Sequence, residues 1–183
     1  MSQWICFAPR SPTRRPQGGG YRSAWYDFAM GRYPKLPPRL DRLYVANPVY
    51  FVTFCTYRRR PLLATAAVQG AFVGFAEHAF STGNIAVGRY VIMPNHVHLF
   101  VCGPDDFDLG RWVGMLKQHL AKAINKTGDD AVWQRGFFDH LLRGDESYGQ
   151  KWEYVKENPV RANLTSGSDV WPYAGEIVVI DRV

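Results

Sequence analysis

The sequence has only three cysteines and no apolar segment of membrane-spanning length. These two features argue against a cysteine-stabilised protein and against a membrane protein. Its three cysteines, Cys6, Cys55 and Cys102, are odd in number, far apart and outside any Cys-x-x-Cys pair. This spacing argues against a disulfide framework and a zinc–cysteine site, and it favours a reducing cytoplasm. The apolar stretch at residues 4–8 is too short for a signal peptide, and no segment approaches a membrane span. We therefore expect a soluble, cytoplasmic protein without a membrane partner.

Positive charge is concentrated at the N-terminus. Residues 1–43 contain eight basic and two acidic side chains, so this segment carries the whole net charge of +6 and the rest is neutral. The segment is rich in proline and glycine and shows neither strand nor helix periodicity, which predicts an extended or disordered arm. Such an arm on a balanced domain is typical of nucleic-acid-binding tails, and a merely solubilising tail is the alternative. Met30 is an alternative start that would remove most of the arm.

The length and apolar content predict one domain. With 183 residues, 46% of them apolar, the chain can bury a single core. We expect a basic arm over residues 1–43, one domain over 44–173 and a short C-terminal tail over 174–183.

Hydrophobic periodicity predicts the order strand, helix, strand, strand, helix, strand, helix within the domain. This order is typical of an α+β, ferredoxin-like fold, a split-βαβ antiparallel sheet with helices on one face, here followed by an additional C-terminal helix. The predicted strands cover residues 50–57, 85–93, 96–102 and part of 132–143, and the predicted helices cover 66–81, 109–124 and 146–158.

His96 and His98 lie two residues apart in one predicted strand. Residues at this spacing project from the same face, so the two imidazoles would be neighbours able to share a metal ion. Val97, Leu99 and Val101 occupy the opposite, apolar face. Two structural or partly exposed histidines are the alternative interpretation, and the pair by itself does not decide between them.

Tyr154 lies off the apolar stripe of the last predicted helix. Tyr148, Trp152 and Val155 fall at positions i, i+4 and i+7 and define the stripe, whereas Tyr154 lies roughly 200° from Trp152 around the helix. The phenol is therefore predicted on a polar surface, where it is either an ordinary exposed aromatic or a nucleophile. Its neighbours one turn away are polar, namely Gln150, Lys151 and Asn158.

Four segments in order resemble the REP-associated tyrosine transposases, a branch of the single-tyrosine HUH transposase superfamily. They are YFVTFCTYRRRPLL, YVIMPNHVHLFV, VWQRGFFDHLLRGDESYGQKWEYVKENPVRANL and the trailing WPY. The match runs from about Tyr44 to Tyr173, and only the long N-terminal arm departs from the family pattern.

The resemblance implies a role for each candidate residue. His96 and His98 match the metal-binding histidines, and Asn158, one helical turn beyond the tyrosine, matches the third ligand of a divalent ion, Mg²⁺ or Mn²⁺. Tyr154, shortly before the Asn158-Pro159-Val160 segment, matches the nucleophile, with Tyr148 as its rival. The family attaches its tyrosine to a 5′ phosphate and releases a 3′ hydroxyl, which conserves the bond energy for rejoining without ATP.

The resemblance also implies the substrate, a hairpin from a repetitive extragenic palindrome with a short single-stranded flank, bound by a monomer or a homodimer. Trp133, Phe137 and Phe138 could stack on bases, although core packing is the favoured interpretation. Six basic residues are candidate DNA contacts, each with an ordinary solvated charge as the alternative: Arg58, Arg59, Arg60, Arg135, Lys151 and Arg161.

Two other functions compete with DNA cleavage by tyrosine. The first is a DNA or RNA hairpin-binding protein that uses the same fold without cutting. The second is a metal-dependent hydrolase that activates water, which needs a carboxylate near the histidines. The segment 90–102 contains none.

Overall fold

A computed structural model describes residues 4–6, 48–124, 131–142 and 148–182, with the backbone alone at residues 4–6 and 181–182. Most of the predicted basic arm therefore lies outside the described residues. The elements are β1 (Trp4–Cys6), β2 (Val49–Cys55), α1 (Ala66–Gly83), β3 (Ala86–Met93), β4 (His96–Cys102), α2 (Leu109–Ala123), β5 (Phe138–Leu142), α3 (Tyr148–Lys156), α4 (Asn158–Arg161), β6 (Ala174–Glu176) and β7 (Ile180–Arg182).

The main sheet has five strands in the order β5-β2-β4-β3-β6, and every neighbouring pair is antiparallel. Strands β2 and β3 are consequently parallel to each other with β4 between them, and α1 connects them across the sheet. This is the split-βαβ arrangement, so the predicted ferredoxin-like fold is confirmed.

Helices α1 and α2 cover one face of the sheet. The N-cap of helix α1 is Thr65, whose hydroxyl accepts a hydrogen bond from the Val68 amide at 3.2 Å. The helix ends at Gly83 and is capped by Asn84, whose φ of 56° is left-handed. Helix α2 begins at Asp108, which accepts from the Arg111 amide at 2.9 Å. The buried stripe of α2 packs on the sheet and consists of Trp112, Val113, Leu116 and Leu120.

Helix α3 packs on the opposite face, where β4 carries its two histidines. Val155 is buried there in one apolar cluster with Phe51 and Phe100, and Tyr148 and Trp152 pack against that cluster. The predicted apolar stripe of this helix is therefore confirmed. The two faces of the sheet thus have different coverings, two long helices on one and the tyrosine-bearing helix on the other.

The last helix is shorter than predicted. Helix α3 ends at Lys156, and a separate turn of helix, α4, begins at Asn158 after the break at Glu157. Pro159 lies in the first turn of α4 instead of beyond the end of one continuous helix. Proline is tolerated at that position because its missing N–H would have no partner in the helix.

The predicted C-terminal tail belongs partly to the folded domain, so the boundary at Tyr173 is too early. Strand β6 adds a fifth strand beside β3, and Val178 and Ile180 are buried. The Trp171 indole also donates to the Ile92 carbonyl at 3.1 Å, which fixes the trailing WPY segment along the same edge. Strand β7 pairs in parallel with β1, so a short part of the N-terminal arm is also strand.

Within the described ranges, no helix is long and apolar enough to cross a membrane.

Candidate active site

The two histidines of β4 lie side by side on one face of the central strand. Their ring centroids are 4.7 Å apart and the ring planes are nearly perpendicular, at 86°. The His98 side chain is buried, with 5% of its surface exposed, whereas His96 is half-buried at the end of the strand. Cross-strand pairing sets Thr53 of β2 opposite His98 and Cys55 opposite His96. These two residues therefore face the same side of the sheet as the histidines.

Hydrogen bonds and ring stacking fix both imidazoles. The Thr53 Oγ1 atom lies 2.8 Å from Nδ1 of His98, and the Asn95 Oδ1 atom lies 2.6 Å from Nδ1 of His96. Phe51 stacks on His98 with ring centroids 5.6 Å apart and an angle of 21°. Since Oδ1 of Asn95 is an acceptor, Nδ1 of His96 donates, and its lone pair is then on Nε2.

Both histidines are neutral at physiological pH. Burial, and then the positive charge of Arg59, lowers the pKa of His96 to about 3. Burial also lowers the pKa of His98 well below its usual value, and the proximity of His96, which repels a second proton, and the charges of Arg59 and Arg161 lower it further. Neutral imidazole is the form that coordinates metal ions, so this pair fits a metal-binding role.

Tyr154 is displayed at the surface of α3, with 48% of the residue exposed. The Arg161 guanidinium lies over its ring, 4.3 Å from the centroid. The Nη2 atom of Arg161 also donates to the Tyr154 carbonyl at 2.6 Å and to the Oδ1 atom of Asn158. Arg161 therefore joins Tyr154 to Asn158 across the break between α3 and α4.

Helix α3 lies on the same face of the sheet as the histidines. Lys151 Nζ is 5.8 Å from the centroid of the Phe51 ring, and that ring stacks on His98. The charge of Arg161, which contacts Tyr154, also acts on His98. Helices α3 and α4 thus bring predicted site residues to the face that carries His96 and His98: Lys151, Tyr154, Asn158 and Arg161.

Tyr148 has a different environment from Tyr154. Its ring packs on Phe100 with centroids 4.6 Å apart, and its phenol oxygen accepts a hydrogen bond from the Arg89 amide at 3.1 Å. Burial is the main cause that raises its pKa. The Tyr148 phenol, packed in the core and hydrogen-bonded to the backbone, therefore stabilises the fold.

The predicted DNA contacts differ in how they are used. Arg58 is exposed beside the Tyr57 ring, and Arg60 donates to the Ala131 carbonyl, which ties the segment after β2 to the segment that precedes β5. Arg135 is also exposed. It lies near the same end of the sheet, since the amide of the neighbouring Gln134 donates to the Cys55 carbonyl at 2.9 Å. The middle arginine of the run, Arg59, contacts the sulfur of Cys55 at 3.1 Å, and Cys55 is the cross-strand partner of His96.

Two of the three candidate stacking aromatics pack in the core, as the favoured interpretation predicted. Phe137 is buried, and Trp133 packs edge-on against Phe54 at 5.3 Å while its indole donates to the Lys117 carbonyl at 2.8 Å. Phe138 is half-buried in β5 and pairs with Thr53, so it faces the histidine side of the sheet.

Sequence patterns did not identify the residues that hold the histidines in place. Phe51 and Thr53 alternate on one face of β2, and Asn95 directly precedes the histidine pair. The alternation was visible as a strand signal, but the partners are 45 residues apart in the case of Thr53 and His98. Register across the sheet, which periodicity within one strand does not contain, determines these contacts.

The fold and the site together define a transposase-type domain, in which a histidine pair and an exposed tyrosine share one face of a ferredoxin-like sheet. Residues 44–158 match the family described as IS200-like transposases, and the chain belongs to that family. The resemblance drawn from the motifs is thereby confirmed.

Curated relatives carry a related name. The chain is 26% identical over 140 residues to the REP-associated tyrosine transposase of Escherichia coli (strain K12), covering 73% of this chain and 79% of the relative. It is 26% identical over 149 residues to a putative REP-associated tyrosine transposase of Haemophilus influenzae, covering 73% and 82%. A solved REP-associated tyrosine transposase bound to a REP hairpin has the same fold, with a TM-score of 0.60 and 22% identity over 75% of this chain and 82% of that one.

Proposed function

We propose that this protein cuts and rejoins single-stranded DNA beside a hairpin, through a covalent bond between Tyr154 and a 5′ phosphate. One observation carries the proposal: an exposed tyrosine lies on the same face of the sheet as two neutral histidines, and Arg161 contacts that tyrosine while its charge acts on His98. Family membership as an IS200-like transposase is consistent with this chemistry.

His96, His98 and Asn158 would hold a divalent ion, Mg²⁺ or Mn²⁺. Asn158 is the third ligand in this proposal because it matches the family's third-ligand position, one helical turn beyond Tyr154. Within the described residues, no group of three or more His, Cys, Asp or Glu side chains could hold a metal. The Oδ1 atom of Asn158 already accepts from Arg161, which orients it, and a carbonyl oxygen has a second lone pair for coordination. When bound, such an ion supplies Lewis-acid polarisation of a phosphate oxygen.

Tyr154 supplies the nucleophile. Its phenol oxygen forms a bond to the phosphorus as the bond from phosphorus to the 3′ oxygen breaks. The phenol loses its proton, and the 3′ oxygen takes one up and leaves as a hydroxyl. The reverse attack by a 3′ hydroxyl on the phosphotyrosine rejoins strands without ATP, because the phosphodiester has been exchanged and not hydrolysed.

The proposed substrate is a hairpin with a single-stranded flank. The curated relatives are named REP-associated, and the solved relative is bound to a REP hairpin. On this chain, the exposed Arg135 lies near the end of the sheet where His96 is located, and helices α3 and α4 bring Lys151 and Arg161, respectively, to the histidine face. Cations at these positions can follow a phosphate backbone into the site.

Adduct formation tests the proposal. The protein is incubated with Mn²⁺ and a single-stranded oligonucleotide that contains a palindrome from beside its gene and carries a 3′ label. We expect a labelled protein–DNA adduct that survives a denaturing gel, and a released upstream piece that ends in a 3′ hydroxyl. Cleavage without an adduct would assign the attack to water. Tight hairpin binding without cleavage would assign the protein to the non-cutting alternative.

A further inference from the structure

We infer that Arg59, unlike its neighbours in the run 58–60, binds the DNA phosphate that lies at the histidine pair. The inference rests on the proposed function and names the residue that neutralises the negative charge of the phosphate at that site. Because Arg59 would contact the substrate directly, it is a catalytic residue.

Arg59 reaches the histidines through Cys55. Its Nη1 atom lies 3.1 Å from the Cys55 sulfur, and Cys55 is the cross-strand partner of His96. Partners in an antiparallel pair project from the same face with Cβ atoms about 5 Å apart. The guanidinium is therefore held beside His96, on the face that also carries His98.

The backbone that aims Arg59 is unusual for residues other than glycine. Arg58 has a φ of 54° and Arg59 a φ of 55°, so two consecutive arginines adopt the left-handed region. The Thr56 carbonyl accepts from the Arg59 amide at 3.1 Å, and the Thr56 amide donates to the Asn95 carbonyl at 3.0 Å. The turn is thus tied to the residue that precedes His96, and uncommon backbone conformations of this kind cluster at functional sites.

The charge of Arg59 has no counterion among the described residues. Arg59 is half-buried, and across residues 48–124, 131–142 and 148–182 no carboxylate forms an ion pair with it. The contact of Arg59 with Cys55, the cross-strand partner of His96, places that charge at the histidine end of the sheet. Because the two imidazoles are neutral, the partly desolvated guanidinium of Arg59 makes the site positive. Guanidinium groups pair favourably with phosphate oxygens.

The neighbouring arginines provide matched controls. Arg58 is exposed, with its guanidinium carbon 5.2 Å from the centroid of the Tyr57 ring. Arg60 donates to the Ala131 carbonyl and so supports the loop beside β2. Removing the charge of Arg58 changes the net charge as much as removing that of Arg59, but at an exposed position beside the Tyr57 ring. Any effect specific to Arg59 is therefore an effect of location.

Methylphosphonate scanning tests the contact without requiring cleavage. In a series of hairpin oligonucleotides, each member carries a single uncharged methylphosphonate, at a different linkage of the single-stranded flank. The affinity of the protein for each oligonucleotide is measured without metal. We expect wild-type protein and Arg58→Ala to bind about tenfold more weakly when one particular linkage is uncharged, the cost of a charge-assisted contact. Arg59→Ala should bind weakly but show no further weakening at that linkage. If Arg59→Ala is weakened as much as wild type at every linkage, the inference is wrong.

Cleavage provides the second measurement. Arg59→Ala should slow adduct formation about a hundredfold or more, the usual effect of removing one group that stabilises the charge of the transition state, with Arg58→Ala within about threefold of wild type. Arg59→Lys should recover part of the rate because it restores a cation. Equal rates in Arg59→Ala and wild type would overturn the inference while the proposed function stands. A methylphosphonate effect specific to Arg59 in a wild type that never cleaves would support the phosphate contact and reject cleavage.

Arg59→Gln separates the phosphate contact from support of the fold. The side chain keeps an N–H donor that can face the Cys55 sulfur, but it carries no charge. We expect a melting temperature close to that of wild type, together with the same absence of the methylphosphonate effect as in Arg59→Ala. A methylphosphonate effect of wild-type size in Arg59→Gln would mean that the charge is not what contacts the DNA.

Discussion

Two single-oxygen deletions on one helix separate the chemical role of a phenol from its structural role. In Tyr154→Phe the ring keeps its contact with Arg161, and the deleted oxygen comes from a residue that is 48% exposed. We expect the free energy of unfolding to change by no more than about 0.5 kcal/mol, as for most surface substitutions. Cleavage and adduct formation should nevertheless disappear, because no other oxygen takes the place of the nucleophile.

Tyr148→Phe is expected to show the opposite behaviour. It removes the acceptor that lies 3.1 Å from the Arg89 amide and leaves that N–H without its partner in a partly buried position. The removal of such an acceptor costs about 1–3 kcal/mol. For a chain of this size, each kcal/mol lowers the melting temperature by about 2–4 °C. Cleavage should persist in this variant at temperatures well below its transition.

The assay compares thermal denaturation and adduct formation for wild type and both variants on the same 3′-labelled hairpin oligonucleotide. The expected pattern is a stable, inactive Tyr154→Phe and a less stable, active Tyr148→Phe. If the adduct forms in Tyr154→Phe and is absent from folded Tyr148→Phe, the nucleophile has been assigned to the wrong tyrosine. If both variants form it, neither phenol is the nucleophile.

Three further predictions concern the histidines and the arm. His96→Ala and His98→Ala should each abolish cleavage and weaken Mn²⁺ binding in calorimetry, with hairpin affinity kept within about tenfold; full-affinity Mn²⁺ titration of either variant would reject the ligand assignment. Because the pKa of both histidines is lowered on folding, protonation favours the unfolded state, so stability present above about pH 6.5 should fall as the pH drops toward 3. Urea unfolding at several pH values with chelator checks this, and a His96→Gln/His98→Gln double variant whose stability falls as much as that of wild type would contradict it. Residues 1–43 hold eight basic side chains, so their deletion should weaken the salt dependence of DNA binding. The slope of log K against log salt concentration should become less steep by roughly 0.7 for each single-strand phosphate that the arm neutralises. An unchanged slope would exclude the arm from DNA binding.

Local patterns within single elements determined the order of strands and helices. Alternation in the segment that became β2, and the apolar spacing of α1 and α2, followed from the periods of the two structures. The same periods put His96 and His98 on one face of a strand and removed Tyr154 from the apolar stripe of its helix, and the structure confirms both placements. These features depend on neighbours within one or two turns, so the sequence contains them.

Tertiary structure decided which elements meet at the site. The run 58–60 is three identical side chains in sequence, yet one is exposed, one supports a loop and one lies beside the histidine pair. The difference arises from the left-handed backbone of the turn and from the register that sets Cys55 opposite His96. Similarly, residues 174–176 gave no strong strand signal but complete the sheet because β3 offers an unpaired edge. Contacts of this kind depend on the pairing of distant segments, and periodicity within a segment carries no information about its partner.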